Sequence, residues 1–249
     1  MSSLKSTLLS LSVLPTTVNA LMVDDFQPID HNQDFTFDLP ISNNSFVHAS
    51  GGTMLSGERD VEFWNSADAF RGSIYARYEL YPFYGRELYR VGGRASFGQG
   101  WATVTLQYDG LGDEVGNFGF GKRLRNNGGL PLQLAGVGGF RLWYADDSDE
   151  FTVTAILRAN GQVIGTHTEG VANGNLQLRS ALFPFSNESL MVADSVAFQF
   201  NIRLSGGSLQ DIYLSHIDTI LPEPGTWLAM TGGIALLLGQ RRRRRRLGD

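Results

Sequence analysis

The middle of the chain is built from short runs of alternating apolar and polar residues, separated by Gly, Asn and Asp. The cleanest is Val196-Ala197-Phe198-Gln199-Phe200-Asn201-Ile202-Arg203-Leu204, apolar at every even position and mostly polar at the odd ones. Period two means a strand with one buried face. Residues 101–108 and 151–158 alternate in the same way with more threonine, and 72–80 and 140–144 are weaker versions rich in aromatics. Asn160-Gly161 lies between the runs 151–159 and 162–168. Both residue types tolerate positive φ, which predicts a tight type I′ hairpin. Residues 212–220 carry apolar side chains at mixed spacing, which predicts a bulge. No body segment has a helical period. The pattern predicts roughly a dozen strands at sandwich spacing, with 85–93 and 109–129 as long surface loops.

The two ends break this pattern. Residues 1–20 carry Lys5, an apolar core over 8–14 and a small-residue close at Val18-Asn19-Ala20, the layout of a cleavable signal peptide. The other end reads Leu221-Pro222-Glu223-Pro224-Gly225, then an apolar run over 226–239, then Gln240 and Arg241, Arg242, Arg243, Arg244, Arg245 and Arg246. Pro222 and Pro224 fix φ and hold their neighbours extended, so a processing enzyme can grip the segment. The apolar run is shorter than the roughly 20 residues of a full span. Trp227 suits its outer interface, and the arginines mark a cytoplasmic stop. A nucleic-acid tail is the competing reading of the arginines. It leaves the apolar run before them unexplained.

Pro222-Glu223-Pro224, the hydrophobic segment and the arginine cluster, in that order, resemble the PEP-CTERM sorting signal of Gram-negative bacteria. That resemblance implies export, transient tethering to the inner membrane by a C-terminal hydrophobic helix, and cutting near the Pro-Glu-Pro by an exosortase-type transpeptidase. It further implies an end point at the cell surface or in an exopolysaccharide or biofilm matrix. The expected organisation is a signal at 1–20, one ectodomain at 21–220 and a sorting segment at 221–249.

Composition narrows the body. Gly numbers 30 of 249 and aromatics make up 11%, which suits an all-β domain rich in turns. There are no cysteines, which excludes thiol catalysis and thiolate metal sites in this chain. Seven of the 20 basic residues and two of the 25 acidic ones lie in the terminal segments, so the body carries 13 against 23, near −10. Such a body disfavours nucleic acid as a partner and leaves room for a cation.

Candidate chemistry is sparse. Asp146, Asp147 and Asp149, with Glu150, crowd a loop between two strands, as Ca²⁺ requires. A solvated turn is the competing reading. Asp24, Asp25 and Asp218, with Asp211, lie near the ends of the presumed first and last strands and could share a cation if those strands are neighbours; ordinary strand-end capping and exposure is the competing reading. Asp109 and Asp113 form an acidic loop that can be read as a glycosidase pair. His31, His48, His167 and His216 have no metal-type spacing. No catalytic motif is present, and a non-catalytic protein is expected.

Trp64, Trp101, Trp143, Tyr75, Tyr78, Tyr81, Tyr84 and Tyr89 are candidates for stacking on sugar rings. Packing is the competing reading, stronger for Trp101 and Trp143 in their alternating runs. Tyr81, Tyr84 and Tyr89 are expected at the surface. The opening Val23-Asp24-Asp25-Phe26, the strand ending in Tyr108-Asp109-Gly110 and the close at 211–220 resemble jelly-roll carbohydrate-binding and galactose-binding-like sandwiches. The fold expected is a single all-β, jelly-roll-like sandwich. The function expected is a sorted matrix protein with exopolysaccharide as its partner, or alternatively a carbohydrate-binding module that uses Ca²⁺.

Overall fold

The structure is a computed structural model that describes residues 20–26, 35–39, 44–50, 54–65, 71–81, 86–109, 119–120, 132–147, 151–171, 174, 176–207 and 209–221. Apart from Ala20 and Leu221, the expected signal and sorting segments lie outside them, including the Pro-Glu-Pro, the apolar run and the arginines. Among the described residues no helix is long and apolar enough to cross a membrane.

Fourteen strands are described, in two antiparallel sheets. The first sheet contains β1 (Met22–Asp24), β2 (Phe35–Leu39), β5 (Arg71–Tyr81), β6 (Arg86–Phe97), β9 (Gly139–Asp146), β12 (Arg179–Pro184) and β14 (Leu209–Ile220). The second contains β3 (Asn44–Ser50), β4 (Glu58–Asn65), β7 (Gln99–Tyr108), β8 (Gly119–Phe120), β10 (Phe151–Ala159), β11 (Gln162–Val171) and β13 (Ser195–Ser205). Their orders are β12-β9-β14-β6-β5-β2, with β1 also beside β14, and β11-β10-β13-β7-β4-β3-β8.

The alternation of the sequence is the core of the structure. Val196, Phe198, Phe200, Ile202 and Leu204 of β13 are all fully buried, and Ala102, Val104, Leu106 and Tyr108 of β7 lie beside them. From the other sheet Ile74, Val91, Phe140, Leu142, Ile212 and Leu214 point into the same cluster. Each such large apolar side chain contributes about 1.5–3 kcal/mol by leaving water. The expected hairpin is present, with Asn160 at φ 51° and Gly161 at φ 75° joining β10 to β11. The expected bulge falls between Leu214 and His216. The first and last strands are neighbours, with Met22 opposite Asp218.

The expected surface loop at 85–93 is corrected: residues 86–93 lie in the 12-residue strand β6, whose Tyr89 and Val91 are fully buried. The glycines that suggested a loop mark close approach instead. A Cβ on Gly92 would stand 2.3 Å from the Gln210 carbonyl oxygen and 2.8 Å from Asp211 Oδ1. There is also a short helix, α1 (Asn187–Val192), too brief to show a period. Ser186 Oγ caps it by accepting from Ser189 N at 3.2 Å. Of the expected loop 109–129, only Asp109, Gly119 and Phe120 are among the described residues.

Strand pairing also gives the sandwich two distinct ends. Ile220 is level with Gly139, and Leu21 N donates to Thr219 Oγ1 at 2.8 Å, so both ends of the domain leave from one pole. β7 begins opposite the end of β13, with Gln99 facing Ser205, at the other pole.

Candidate functional site

The outward face of the second sheet is where sequence parity and exposure combine. Because Phe63, Val104, Phe200 and Val153 point inward, their neighbours in sequence point out. Register then lines these neighbours up across five strands. One row runs Trp64, Thr103, Asn201, Thr152, Gly170. The next runs Glu62, Thr105, Gln199, Thr154, Thr168. Trp101 follows below Thr103 on β7, opposite Arg203.

Trp64 and Trp101 are each 37% exposed. They stand on adjacent strands in a diagonal relation that long side chains can bridge. The threonines of β7 lie low, buried between their neighbours, while Thr166, Thr168 and Gly170 are open to solvent. The polar groups between them are ordered. Thr103 Oγ1 donates to Asn201 Oδ1 at 3.0 Å, and Asn201 Nδ2 donates to Thr152 Oγ1 at 3.4 Å. The Thr154 and Thr168 hydroxyls share a hydrogen bond of 2.9 Å. Chemically this is a surface of two indoles leading into fixed hydroxyls and amides. Stacking and hydrogen bonding are what it can do.

The other stacking candidates are occupied. Tyr89 is in the core, stacked on Phe26 at 5.5 Å, and Tyr78 accepts from Arg59 Nη2 at 3.0 Å. The expectation of a surface Tyr89 is therefore corrected, because β6 is a two-sided strand and Tyr89 is on its inner parity. Tyr75 donates to Asp211, which also pairs with Arg90. Trp143 stacks on His216 at 5.6 Å, and the Arg141 guanidinium lies 4.9 Å from its ring centroid. The side chain of Tyr81, and Tyr84 altogether, lie outside the described residues. Trp101 is 37% exposed, where packing in the core was expected. Its odd position on a strand whose even residues are apolar is the signal that places it outside.

The carboxylates do not gather. Asp24 faces the interior, where Arg59 Nη1 donates to it at 2.5 Å and the Tyr108 hydroxyl at 2.8 Å. Asp218, on the neighbouring strand, points the opposite way and takes both Nε and Nη2 of Arg141, at 3.0 and 2.7 Å. Asp25 follows Asp24 and is partly buried. Asp146 is fully buried, 3.9 Å from Arg179. Asp147 Oδ1 accepts from Asp211 N at 2.9 Å. Burial, then the nearby Asp211, pushes the Asp147 carboxyl up to about 6. Asp149 lies outside the described residues. Among the described residues no group of three His, Asp or Glu side chains is placed to hold a metal ion. Asp109 is buried and accepts from Gln107 Nε2 at 2.7 Å, and Asp113 lies outside the described residues. His167 meets Glu169 at 2.8 Å, and His216 is taken by Trp143. His31 and the His48 side chain lie outside the described residues.

No family model and no curated protein matches the chain. Solved structures to which the chain is similar include the family 30 carbohydrate-binding module of a cellulosomal cellulase of Clostridium thermocellum. It is 12% identical, covers 82% of this chain and 99% of its own, and has a TM-score of 0.39. The module TmCBM61, solved with β-1,4-galactotriose, is 8% identical over 65% of this chain and 88% of its own, with a TM-score of 0.37. A family 11 module from a second cellulosomal cellulase of Clostridium thermocellum is 10% identical over 83% and 97%, with a TM-score of 0.35. At these identities and scores no ligand or residue role carries over from them.

Proposed function

We propose that the sandwich binds carbohydrate on the outer face of its second sheet, and that its terminal segments are addresses. The observation that carries the binding reading is the pair Trp64 and Trp101, both 37% exposed beside a hydrogen-bonded polar row. An indole offers a flat apolar face to the C–H face of a pyranose, and the adjacent hydroxyls and amides can satisfy the sugar's own hydroxyls. This favours the carbohydrate-binding alternative over a purely passive matrix protein. No Ca²⁺ is required by this chemistry.

Affinity electrophoresis of the purified chain through gels containing a panel of plant and bacterial polysaccharides tests the proposal. At least one polysaccharide is expected to retard the chain, and Trp64→Ala or Trp101→Ala to weaken that retardation roughly tenfold. Unretarded migration in every gel, or retardation indifferent to both variants, would sink it.

The signal at 1–20 and the sorting segment at 221–249 belong to the same proposal. They carry the protein to the outer side of the inner membrane and present Pro222-Glu223-Pro224 to a transpeptidase. Intact mass of protein isolated from its host is expected to show ends near Ala20 and near Pro222. A mass that includes Asp249 would remove the sorting step.

A further inference from the structure

We infer that the site extends well past the tryptophans and takes a long, uncharged polysaccharide chain lying across the strands. This rests on the carbohydrate-binding reading. Trp64 is only the first member of its row. The row continues over β7, β13, β10 and β11 and ends at Gly170. Five strands with four gaps of about 4.8 Å make a track of roughly 19 Å, long enough for several sugar units.

The far end of the track is open. Gly170 is exposed, and a Cβ built there would meet nothing within 4 Å. Polar groups along it remain available. Gln199 makes no side-chain hydrogen bond among the described residues and is partly exposed. Asn201 gives one amide hydrogen to Thr152 and keeps the other, and Thr152, having accepted, keeps its own hydroxyl proton to donate. Asn201 and Thr152 are held by hydrogen bonds within the row, so little of their side-chain freedom is lost when a ligand arrives.

The class of ligand follows from charge. Between Trp64 and Gly170 the row holds no charged side chain, and the parallel row holds one, the carboxylate of Glu62. The body around them is near −10. Arg203, opposite Trp101, is the cation of the neighbouring row; within the row itself a uronate or sulfated chain would meet this carboxylate and this field with no facing cation. A neutral chain needs only the donors and acceptors that are present.

Titration calorimetry of the purified chain with neutral β-1,4-linked gluco- and manno-oligosaccharides, from dimer to octamer, tests the inference. Oligogalacturonates of the same lengths form the charged arm. Affinity for the neutral series is expected to climb with each added unit beyond the trimer. Gln199→Ala is expected to weaken the octamer by roughly three- to tenfold, about one hydrogen bond, and leave the dimer unchanged. Gly170→Leu, which closes the open end on the surface, is expected to do the same without disturbing the core. Trp64→Ala should weaken every length. Affinity that is flat beyond the trimer, with Gln199→Ala and Gly170→Leu silent while Trp64→Ala is not, would overturn the long track and leave the binding proposal standing. Tighter binding of the galacturonates would overturn the uncharged class. Failure of every oligosaccharide to bind would remove both.

Discussion

Asp24 on the first strand of one sheet accepts a hydrogen bond of 2.5 Å from Arg59 on the other sheet, and each is 1% exposed. The pair joins the two sheets inside the core, level with Tyr108 at the end of β7. Arg59 also lies 4.4 Å from the Tyr89 ring centroid and 5.0 Å from that of Phe26. Burial alone would lower the Arg59 pKa, but Asp24 and the surrounding phenols hold it above its ordinary value. Asp24→Asn leaves a charge in the interior without its counter-ion. A loss of about 3–5 kcal/mol in urea denaturation is expected. Arg59→Met combined with Asp24→Leu should recover much of that loss. A single Asp24→Asn change costing under ~1 kcal/mol would show that the pair does not hold the sheets.

The Asp147 carboxyl gives the fold an acid-side gain in stability. Its pKa rises to about 6 on folding, because burial and Asp211 disfavour the charge. Between the ordinary carboxylate value and about 6 the folded chain therefore binds more protons than the unfolded one. Stability from this group rises as pH falls from about 6 toward 4. Thermal melts across that window should show the rise, and Asp147→Asn should flatten it while keeping the acceptor for Asp211 N. An unchanged pH profile in the variant would assign the effect elsewhere.

Glycines divide by what stands next to them. A Cβ on Gly72 would come 1.8 Å from the Arg94 carbonyl oxygen, whereas Gly170 faces open space. Gly72→Ala must push β5 from β6 and is expected to cost about 1–3 kcal/mol, with Gly170→Ala close to neutral. Equal melting temperatures for the two variants would contradict the strand spacing described here.

The hairpin turn makes a fourth stability test. Gly161 sits at φ 75° and Asn160 N donates to Asp194 Oδ2 at 2.6 Å. Gly161→Val forces a β-branched residue into the left-handed region, at a cost of about 1–2 kcal/mol. Denaturant midpoints measure it. No change would mean that the turn relaxes to another type.

The poles predict how a tethered molecule works. Leu21 and Ile220 lie at one end of the sandwich, and Trp101, near the start of β7, at the other. If residues 221–249 hold the chain in a bilayer, the tryptophans face away from it. The full chain in proteoliposomes should bind soluble polysaccharide as tightly as the chain free in detergent. Binding lost on reconstitution would place the working face toward the lipid.

Much of the fold was legible because period two is local. Phe198 and Phe200, or Val153 and Ala155, declare their strands within a few residues. Gly92-Gly93 misled because a glycine in a strand and a glycine in a loop look alike until the neighbouring backbone is seen. The site was half legible. The parity of Trp101 carried an outward signal that its alternating run hid behind a packing expectation, and Asn201 and Thr152, 49 residues apart, become neighbours only through pairing.

The sequence by itself determined the alternating strands of an all-β sandwich, the hairpin at Asn160-Gly161 and a bulge within 212–220. These follow from side-chain alternation and backbone preference, which act over a few residues. Only the tertiary structure decided which carboxylates meet and which aromatics stay exposed. Asp24 and Asp218 sit on paired strands yet point to opposite faces. Tyr89 and Trp101 are close in sequence, yet one is core and the other wet. Register between strands sets that outcome, and a shift of one residue would turn every side chain of the strand to the other face.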